Sequence, residues 1–327
     1  MMRFVAWLFG TAFLLILLLV GASYVAYHHF VGPGPLQANA TLVIPRGSHL
    51  GGIGNQLEQA GVIENGQVFA LGARLFANGR SLQAGEYEFA AGISPREVMQ
   101  QMIDGRTVKR RLTIPEGLAV PEILDLVRRA EGLDGDLPEG AATLQEGSLL
   151  PETYFYGWGD SRAGMIGRMQ AAMQKTLAEL WAGRAAKLPL DTPLGAVTLA
   201  SIVEKETALS DERPRVAAVF YNRLARGMKL QSDPTVIFAL TEGKSPLGRP
   251  LAHADLEVAS PYNTYLNAGL PPGPIAIPGR ASLLAVLHPL ATKELYFVAD
   301  GSGGHAFAAT LDEHNRNVAN WRKLNEP

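Results

Sequence analysis

The apolar positions along this chain fall into three rhythms, and each predicts a different kind of element. The first is an unbroken run. No charged residue interrupts Phe4–Ala26, and a helix over that stretch spans roughly 34 Å at ~1.5 Å per residue, enough to cross the hydrocarbon core of a bilayer. Tyr24, Tyr27, His28 and His29 follow where interfacial side chains belong. Arg3 precedes the run, and the next Lys or Arg is Arg46. That bias places the first residues in the cytoplasm and the bulk of the chain outside it. A cleaved signal peptide has an apolar core of only ~7–15 residues. Gly21-Ala-Ser23 imitates its cleavage site, but the length favours a retained single anchor.

The second rhythm is alternation and the third is helical spacing. After a Gly/Pro linker over 28–40, Thr41–Ile44 reads as a strand, Pro45-Arg-Gly47 as a turn and Ser48 as the cap of a helix over 49–60. The spacing predicts a second helix over 66–78, facing inward with Val68, Phe69, Leu71, Leu75 and Phe76. Gly85–Phe89 alternates like a strand, and Ser94-Pro-Arg-Glu97 is a capping box opening a helix through Ile103. The pattern Leu-x-Ile-Pro-x-Gly at 42–47 recurs 70 residues on, at 112–117, with Ile53 matched by Ile123 and Leu57 by Val127. Two strand–turn–helix units follow from this, too few for a solenoid.

Residues 131–147 read as a loop or weak helix, and the aromatic stretch to Tyr156 as a packed loop. Met165, Ile166, Met169, Met173, Leu177 and Leu180 predict a long helix over 161–187, the methionines serving as core. Asp191-Thr-Pro193 caps a helix ending near Ala208. Glu212-Arg-Pro-Arg215 starts another, with Val216, Val219, Phe220 and Leu224 inward, and Gly227 stops it. Beyond it, Leu230–Val236 reads as a proline turn, Ser260–Tyr265 as an aromatic–amide loop, Gly269–Gly279 as a stiff extended loop and Gly301–Gly304 as a hairpin turn. The expected fold class is α+β.

Composition narrows the function classes. A net charge of −2 gives no general attraction to nucleic acid or anionic lipid. The absence of cysteine removes disulfides, thiolate catalysis and a lipidated N-terminal cysteine. His305 and His314 have no metal-ligand spacing, so no metal or cofactor is expected, and Ser201 has no histidine partner nearby in sequence.

The candidate chemistry sits on the helix through Thr198–Glu206. At about 100° per residue, Ala196, Leu199, Ala200, Ile202 and Val203 share one side and Lys205 points away from it. Glu204 and Glu206 fall on opposite flanks. Glu206 stacks one turn beyond Ile202, where lost hydration raises a carboxyl's pKa and suits it to general acid work. On spacing alone, both glutamates fit solvated helix-edge charges equally. The polar and aromatic loops that follow supply what a sugar-binding cleft needs: rings for C–H faces beside amide, hydroxyl and carboxylate groups.

Six ordered strings carry a resemblance: Leu199–Thr207, Val219–Leu224, Leu230–Val236, Tyr262–Tyr265, Gly269–Gly273 and Tyr296–Gly301. With them the chain, from its anchor to Asn315, resembles the MltG (YceG-like) family of endolytic murein transglycosylases. The resemblance implies a single transmembrane helix over 4–27 after a cytoplasmic tail at 1–3, a LysM-like subdomain over 41–108 that binds peptidoglycan, and a mainly helical catalytic domain over 109–327 with a strand-containing C-terminal lobe. It implies Glu206 as the catalytic glutamate, and Gln231, Ser232, Asp233, Thr235, Tyr262, Asn263 and Tyr265 as cleft residues that bind substrate. Leu149-Leu-Pro-Glu152 departs from the family's commoner Phe-Pro-Asp-like form, which leaves Glu152 without a role.

The implied activity is cleavage of the β-1,4 bond between N-acetylmuramic acid and N-acetylglucosamine in nascent glycan strands, leaving 1,6-anhydro ends. That is lyase chemistry of cell-wall organisation and glycan-strand termination. The implied place is the bacterial inner membrane with the bulk of the chain in the periplasm, and the implied partners include penicillin-binding synthases. Two rivals remain: an anchored, non-catalytic glycan-binding scaffold, and a hydrolytic muramidase that uses a second carboxylate such as Asp233 or Asp211.

Overall fold

The computed structural model describes residues 2–186 and 188–324. The chain folds into two compact units that are discontinuous in sequence. One holds the chain through Arg110 together with Gly132–Asp134 and Phe155–Asp160. The other holds Arg111–Glu131, Gly135–Tyr154 and the chain from Ser161 onward. Helix and strand are both present, the strands forming only short two-stranded sheets, a content consistent with an α+β protein.

The first unit begins with helix α1 (Met2–Val31). Its stretch Phe9–Val31 has a mean hydropathy of 2.2 and is long and apolar enough to cross a membrane. The helix does not stop at residue 27. It continues to Val31, and Phe30 is 2% exposed, inside the unit's core. The stretch after it is tied down too. Gly34 N–H donates to Ile93 O (3.1 Å), and Gly92 N–H donates to Leu36 O (2.8 Å). Residues 28–40 are therefore the end of a helix plus a hydrogen-bonded segment rather than a free linker. β1 (Ala40–Ile44) and β2 (Gly85–Phe89) pair antiparallel, with Ala40 opposite Phe89 and Ile44 opposite Gly85. Between them in sequence lie α2 (Leu50–Gln59) and α3 (Gly66–Phe76), and α4 (Pro95–Ile103) follows. Ile44, Ile53, Leu57, Phe69, Tyr87, Phe89, Val98 and Met102 form the core. The Ser94–Glu97 capping box is present, each side chain accepting the other's backbone N–H. Ser48 does not cap α2, whose N-cap residue is His49.

α3 corrects the expected inward face. Phe69, Ala70 and Ala73 are buried, whereas Leu71 is 51% and Leu75 65% exposed. Close backbone approach is the reason. A Cβ on Gly54 would lie 2.4 Å from Gly66 O, and one on Gly72 would lie 2.3 Å from Phe30 Cε2. Apart from Phe69, the inward side of α3 is made of small residues so that α2 and α1 can approach it, and the large leucines are turned outward.

Each copy of the repeated pattern folds into the same local structure. Gly47 (φ 83°) and Gly117 (φ 76°) both occupy the left-handed region, where a side chain would be strained. Both helices are entered from extended backbone, at His49 (ψ 158°) and Ala119 (ψ 159°). Ile53 and Leu57 are buried in one copy, Ile123 and Val127 in the other. The partners differ. β1 pairs with β2, whereas β3 (Arg110–Thr113), which leads to α5 (Val120–Arg129), pairs with β4 (Thr153–Tyr156). Ile114 N–H extends that pairing to Glu152 O at 3.0 Å.

The second unit is built around α7 (Pro193–Glu206). α6 (Arg162–Ala182), α8 (Arg213–Ala225) and α10 (Arg280–Leu287) pack around it. Leu199, Ile202 and Val203 meet Val216 and Phe220 of α8 and Leu283 and Val286 of α10 in one core. A β5–β6 hairpin (Tyr296–Ala299, His305–Ala308) with Ala299 opposite His305 comes next, then α11 (Leu311–Leu324). Leu230–Val236, expected as a turn, instead enters α9 (Asp233–Thr241). Pro234 fits the first turn of a helix because its missing N–H would have no intrahelical partner there.

Candidate active site

α7 is more deeply enclosed than a one-sided helix. Thr198 and Ser201 are buried along with its apolar residues. Thr198 Oγ1 donates to Leu194 O at 2.9 Å. Ser201 Oγ donates to Thr198 O at 2.7 Å and accepts Ile275 N–H at 3.0 Å. Ser201 is thus a satisfied core hydroxyl that holds the 269–279 loop. The helix is buried from Ala196 to Val203 and emerges again at its C-terminal end, where its last residue is Glu206, partly buried.

Glu204 and Glu206 leave the helix in different directions. Glu204 Oε1 accepts from Arg213 at 2.9 Å and Oε2 from Gly279 N–H at 2.9 Å. Glu116 approaches the same guanidinium at 3.3 Å. Burial and the neighbouring Glu204 push the Glu116 carboxyl above its usual range. This cluster braces α7, α8 and the loop before α10. Glu206 instead accepts the Ser232 hydroxyl, and Ser232 is the N-cap of α9.

The other expected site residues divide into groups. Ser232 and Thr235 share one buried hydroxyl network with Thr264. Ser232 N–H donates to Thr264 Oγ1 at 3.0 Å, and the Thr235 and Thr264 hydroxyls lie 2.8 Å apart. Asp233 is exposed beside it and accepts from Tyr265 Oη at 2.5 Å. Gln231 is exposed at φ 52° and donates its backbone N–H to Thr264 O at 3.2 Å. Asn263 is fully buried, its amide donating to Leu256 O and Val258 O at 2.9 Å and its Oδ1 accepting Tyr265 N–H. It shapes the loop that carries Tyr265 rather than facing a cleft. Tyr262 stacks at a tilt against Phe238, with 4.8 Å between ring centroids. Glu152 is exposed and takes part through its backbone carbonyl, and Asp211 is exposed.

Burial is the main force on Glu206 and raises its carboxyl to about 7. The Ser232 hydroxyl opposes the rise, the Asp233 charge adds to it, and His305 and Arg223 pull it back. Its position at a helix C-terminus also disfavours a negative charge. Three neighbours come from distant parts of the chain, and packing rather than spacing brings them together here. Thr264 lies inside the Ser260–Tyr265 loop as its buried anchor. Arg223 is buried, donating to Leu295 O at 2.6 Å and Leu230 O at 2.7 Å. His305 pairs with Glu212, N–H to Oε1 at 2.8 Å and ring to Oε2 at 2.7 Å. Burial works against the Glu212 charge, but the His305 bonds hold its carboxyl below the usual range. Thr207, the residue after Glu206, donates its hydroxyl to the same Glu212.

A cavity of about 400 Å³ opens in this unit. Lys205 on α7, Pro234, Ile237 and Phe238 on α9, and Arg249 line it among others. Glu206 does not line it, but its chain neighbour Lys205 and the α9 residue after Asp233 do. Besides Glu206 and Glu116, another raised carboxyl, which the sequence did not mark, lies elsewhere in the unit. Burial lifts Glu146 to about 7, while it accepts Val120 N–H at the N-terminus of α5. Among the described residues, no three His, Asp or Glu side chains gather as metal ligands.

Residues 42–320 match the model of the YceG-like family. The chain belongs to the YceG-like family. This YceG-like chain is 32% identical, over 362 aligned positions and 95% of its length, to a protein of Streptococcus pneumoniae serotype 2 (strain D39 / NCTC 7466) named endolytic murein transglycosylase. It spans 64% of that relative's length. A Bacillus subtilis (strain 168) protein of the same name is 29% identical, with 91% of this chain and 90% of the relative covered. Among solved structures, a yceG-like protein of Listeria monocytogenes superposes with a TM-score of 0.56 at 33% identity, covering 86% of this chain and 99% of that one.

Proposed function

We propose that this chain is a membrane-anchored lytic transglycosylase that cuts peptidoglycan glycan strands, with Glu206 as its proton-transfer group. The observation that carries the reading is a carboxyl raised to about 7 at the open end of a buried helix, held by Ser232 and next to Asp233. The names of the relatives support the substrate class. The apolar Phe9–Val31 helix supports the anchor, and the sparse positive charge after it supports an extracytoplasmic location for the bulk of the chain.

The chemistry follows from having one protonated carboxyl. Neutral Glu206 gives its proton to the oxygen linking N-acetylmuramic acid to N-acetylglucosamine, and the C1–O bond breaks. The resulting carboxylate then takes the proton of the muramyl 6-hydroxyl as that oxygen bonds to C1. The leaving sugar gains one hydrogen, the muramyl unit closes a 1,6-anhydro ring, and Glu206 is protonated again. The attack is intramolecular, so positioning replaces an activated water. Tyr265, held by Asp233, offers a ring beside the acid for a sugar face. The segment 41–108 is the LysM-like, glycan-holding part in this reading, and cell-wall synthases are its expected partners.

The neighbouring Asp233 also suits a hydrolytic muramidase with two carboxylates, and the end groups of the products separate the two readings. Glu206→Gln is expected to lower cleavage of purified glycan strands by roughly 10²–10⁴-fold, the usual worth of a positioned acid–base group, with melting temperature and glycan binding retained. Cleavage at the wild-type rate would remove Glu206 from the chemistry.

A further inference from the structure

The first unit carries an apolar patch that its own core does not use. Leu71 and Leu75 of α3 are 51% and 65% exposed, and Phe76 beside them is 45% exposed. At roughly 100° per residue, the two leucines lie on the side of α3 opposite the buried Phe69 and Ala73. Arg74 is exposed on that same side, and Arg80 is exposed in the turn after the helix.

α3 is also the helix pressed against the end of α1. Phe30 sits where a side chain on Gly72 would be. Phe76 stacks on Phe30 with 5.5 Å between centroids and meets Tyr27 edge-on at 6.4 Å. His29 Nδ1 lies 2.7 Å from Glu64 Oε2, just before α3 begins. α3 is thus held against the last turns of the apolar helix, with its core-facing side already occupied. Tyr24, Val25 and Tyr27 are themselves exposed, and the contact of Tyr27 with Phe76 reaches the end of α3.

We propose that the outer face of α3 is a membrane-docking surface: Leu71 and Leu75 enter the interfacial zone of the bilayer in which α1 is embedded, Phe76 joins them to α1 at the end of the helix, and Arg74 and Arg80 meet lipid phosphates. The inference rests on the membrane-anchor reading. Its argument is adjacency: Phe76, which meets Tyr27 of α1, directly follows Leu75 at the end of α3. Leucine side chains with flanking basic residues on one helical face are what an interfacial helix presents to lipid. Docking would fix the first unit against the bilayer instead of leaving it to swing on a single helix.

The chain contains no cysteine, so single-cysteine variants of the full-length protein can each carry one environment-sensitive fluorophore. Leu17→Cys in α1, Leu71→Cys, Leu75→Cys and Asn55→Cys on α2 would be labelled and reconstituted in vesicles of phosphatidylcholine and phosphatidylglycerol. Quenching by nitroxide-labelled lipid and by aqueous iodide would then be read for each. The expected result is blue-shifted emission and strong lipid quenching at positions 17, 71 and 75, several-fold above that at 55. Lipid quenching at 17 with 71 and 75 behaving like 55 would overturn the docking surface while leaving the anchor in place. Shielding of 71 and 75 from iodide without lipid quenching would overturn it in favour of a protein contact. No lipid quenching at 17 would remove the anchor and the proposal with it.

Discussion

At the residue scale, what matters is how Glu206 keeps its proton. Its carboxyl is raised to about 7 chiefly by burial, so it is protonated below that pH and loses its proton above it. If it delivers a proton to the glycosidic oxygen, kcat/KM falls as pH rises through about 7. The two nearest polar groups move that limb in opposite directions. Ser232→Ala removes a hydrogen bond that stabilises the charged form, so the limb moves to higher pH. Asp233→Asn removes a neighbouring negative charge, so the limb moves to lower pH. A pH–rate profile of the two variants checks both signs. The same shift acts on stability. Between the ordinary carboxyl pKa of 4.5 and about 7, the unfolded chain releases a proton that the folded chain keeps, so this group's contribution falls as pH rises across that window and then levels off. Glu206→Gln, which has no proton to lose, flattens that part of the pH–stability curve. The helical spacing that put Glu206 one turn past Ile202 gave its location. Ser232 was expected near it through the resemblance, but its convergence with Thr264, Arg223 and His305 on this end of α7 joins residues far apart in sequence and is fixed only by packing.

At the element scale, regular spacing was readable and close approach was not. The strands of the first unit, the capping box at Ser94 and the helices α6, α7 and α8 all follow from local signals. α3 shows the limit. Its large apolar residues looked like the inward face, yet the glycines set it, because Gly54 and Gly66 let two backbones touch. Only the neighbour's position makes that legible. Gly54→Ala has no side chain to push aside, only backbone, and is expected to lower stability by about 1–3 kcal/mol, measurable by denaturant unfolding. The start of α9 was hidden for a different reason, since Asp-Pro-Thr is as common in a turn as in a first helical turn. In the second unit, Arg213 bridges Glu204 and Glu116. Its side chain is 8% exposed and that of Glu204 is 5%. Arg213→Met leaves the two carboxylates uncompensated and is expected to destabilise by about 3–5 kcal/mol, again by denaturant unfolding.

At the scale of the whole molecule, the chain joins an apolar helix to two units whose segments interleave in sequence. A linear reading places one boundary where the fold uses three segments, since 132–134 and 155–160 return to the first unit. The end of the apolar helix belongs to that unit as well. A soluble form beginning at residue 28 keeps Phe30 in the core, and one beginning at residue 32 loses it. The shorter form is expected to lose about 3–5 kcal/mol, the cost of emptying a phenylalanine site, seen as a lower melting temperature. The full chain is expected to stay with membranes through alkaline carbonate washing, whereas the form beginning at 28 is released.

The central claim is that one carboxyl moves a proton out and back while the substrate supplies its own nucleophile. The most direct measurement is the mass of the products when the full-length protein digests purified, uncrosslinked glycan strands. New muramyl ends lighter by about 18 Da (one water) than hydrolysed ends, formed by the wild type and not by Glu206→Gln, are the expected result, because a transglycosylase excludes the water that a two-carboxylate hydrolase adds. Reducing ends at the hydrolysed mass, or anhydro ends that persist in Glu206→Gln, would contradict it.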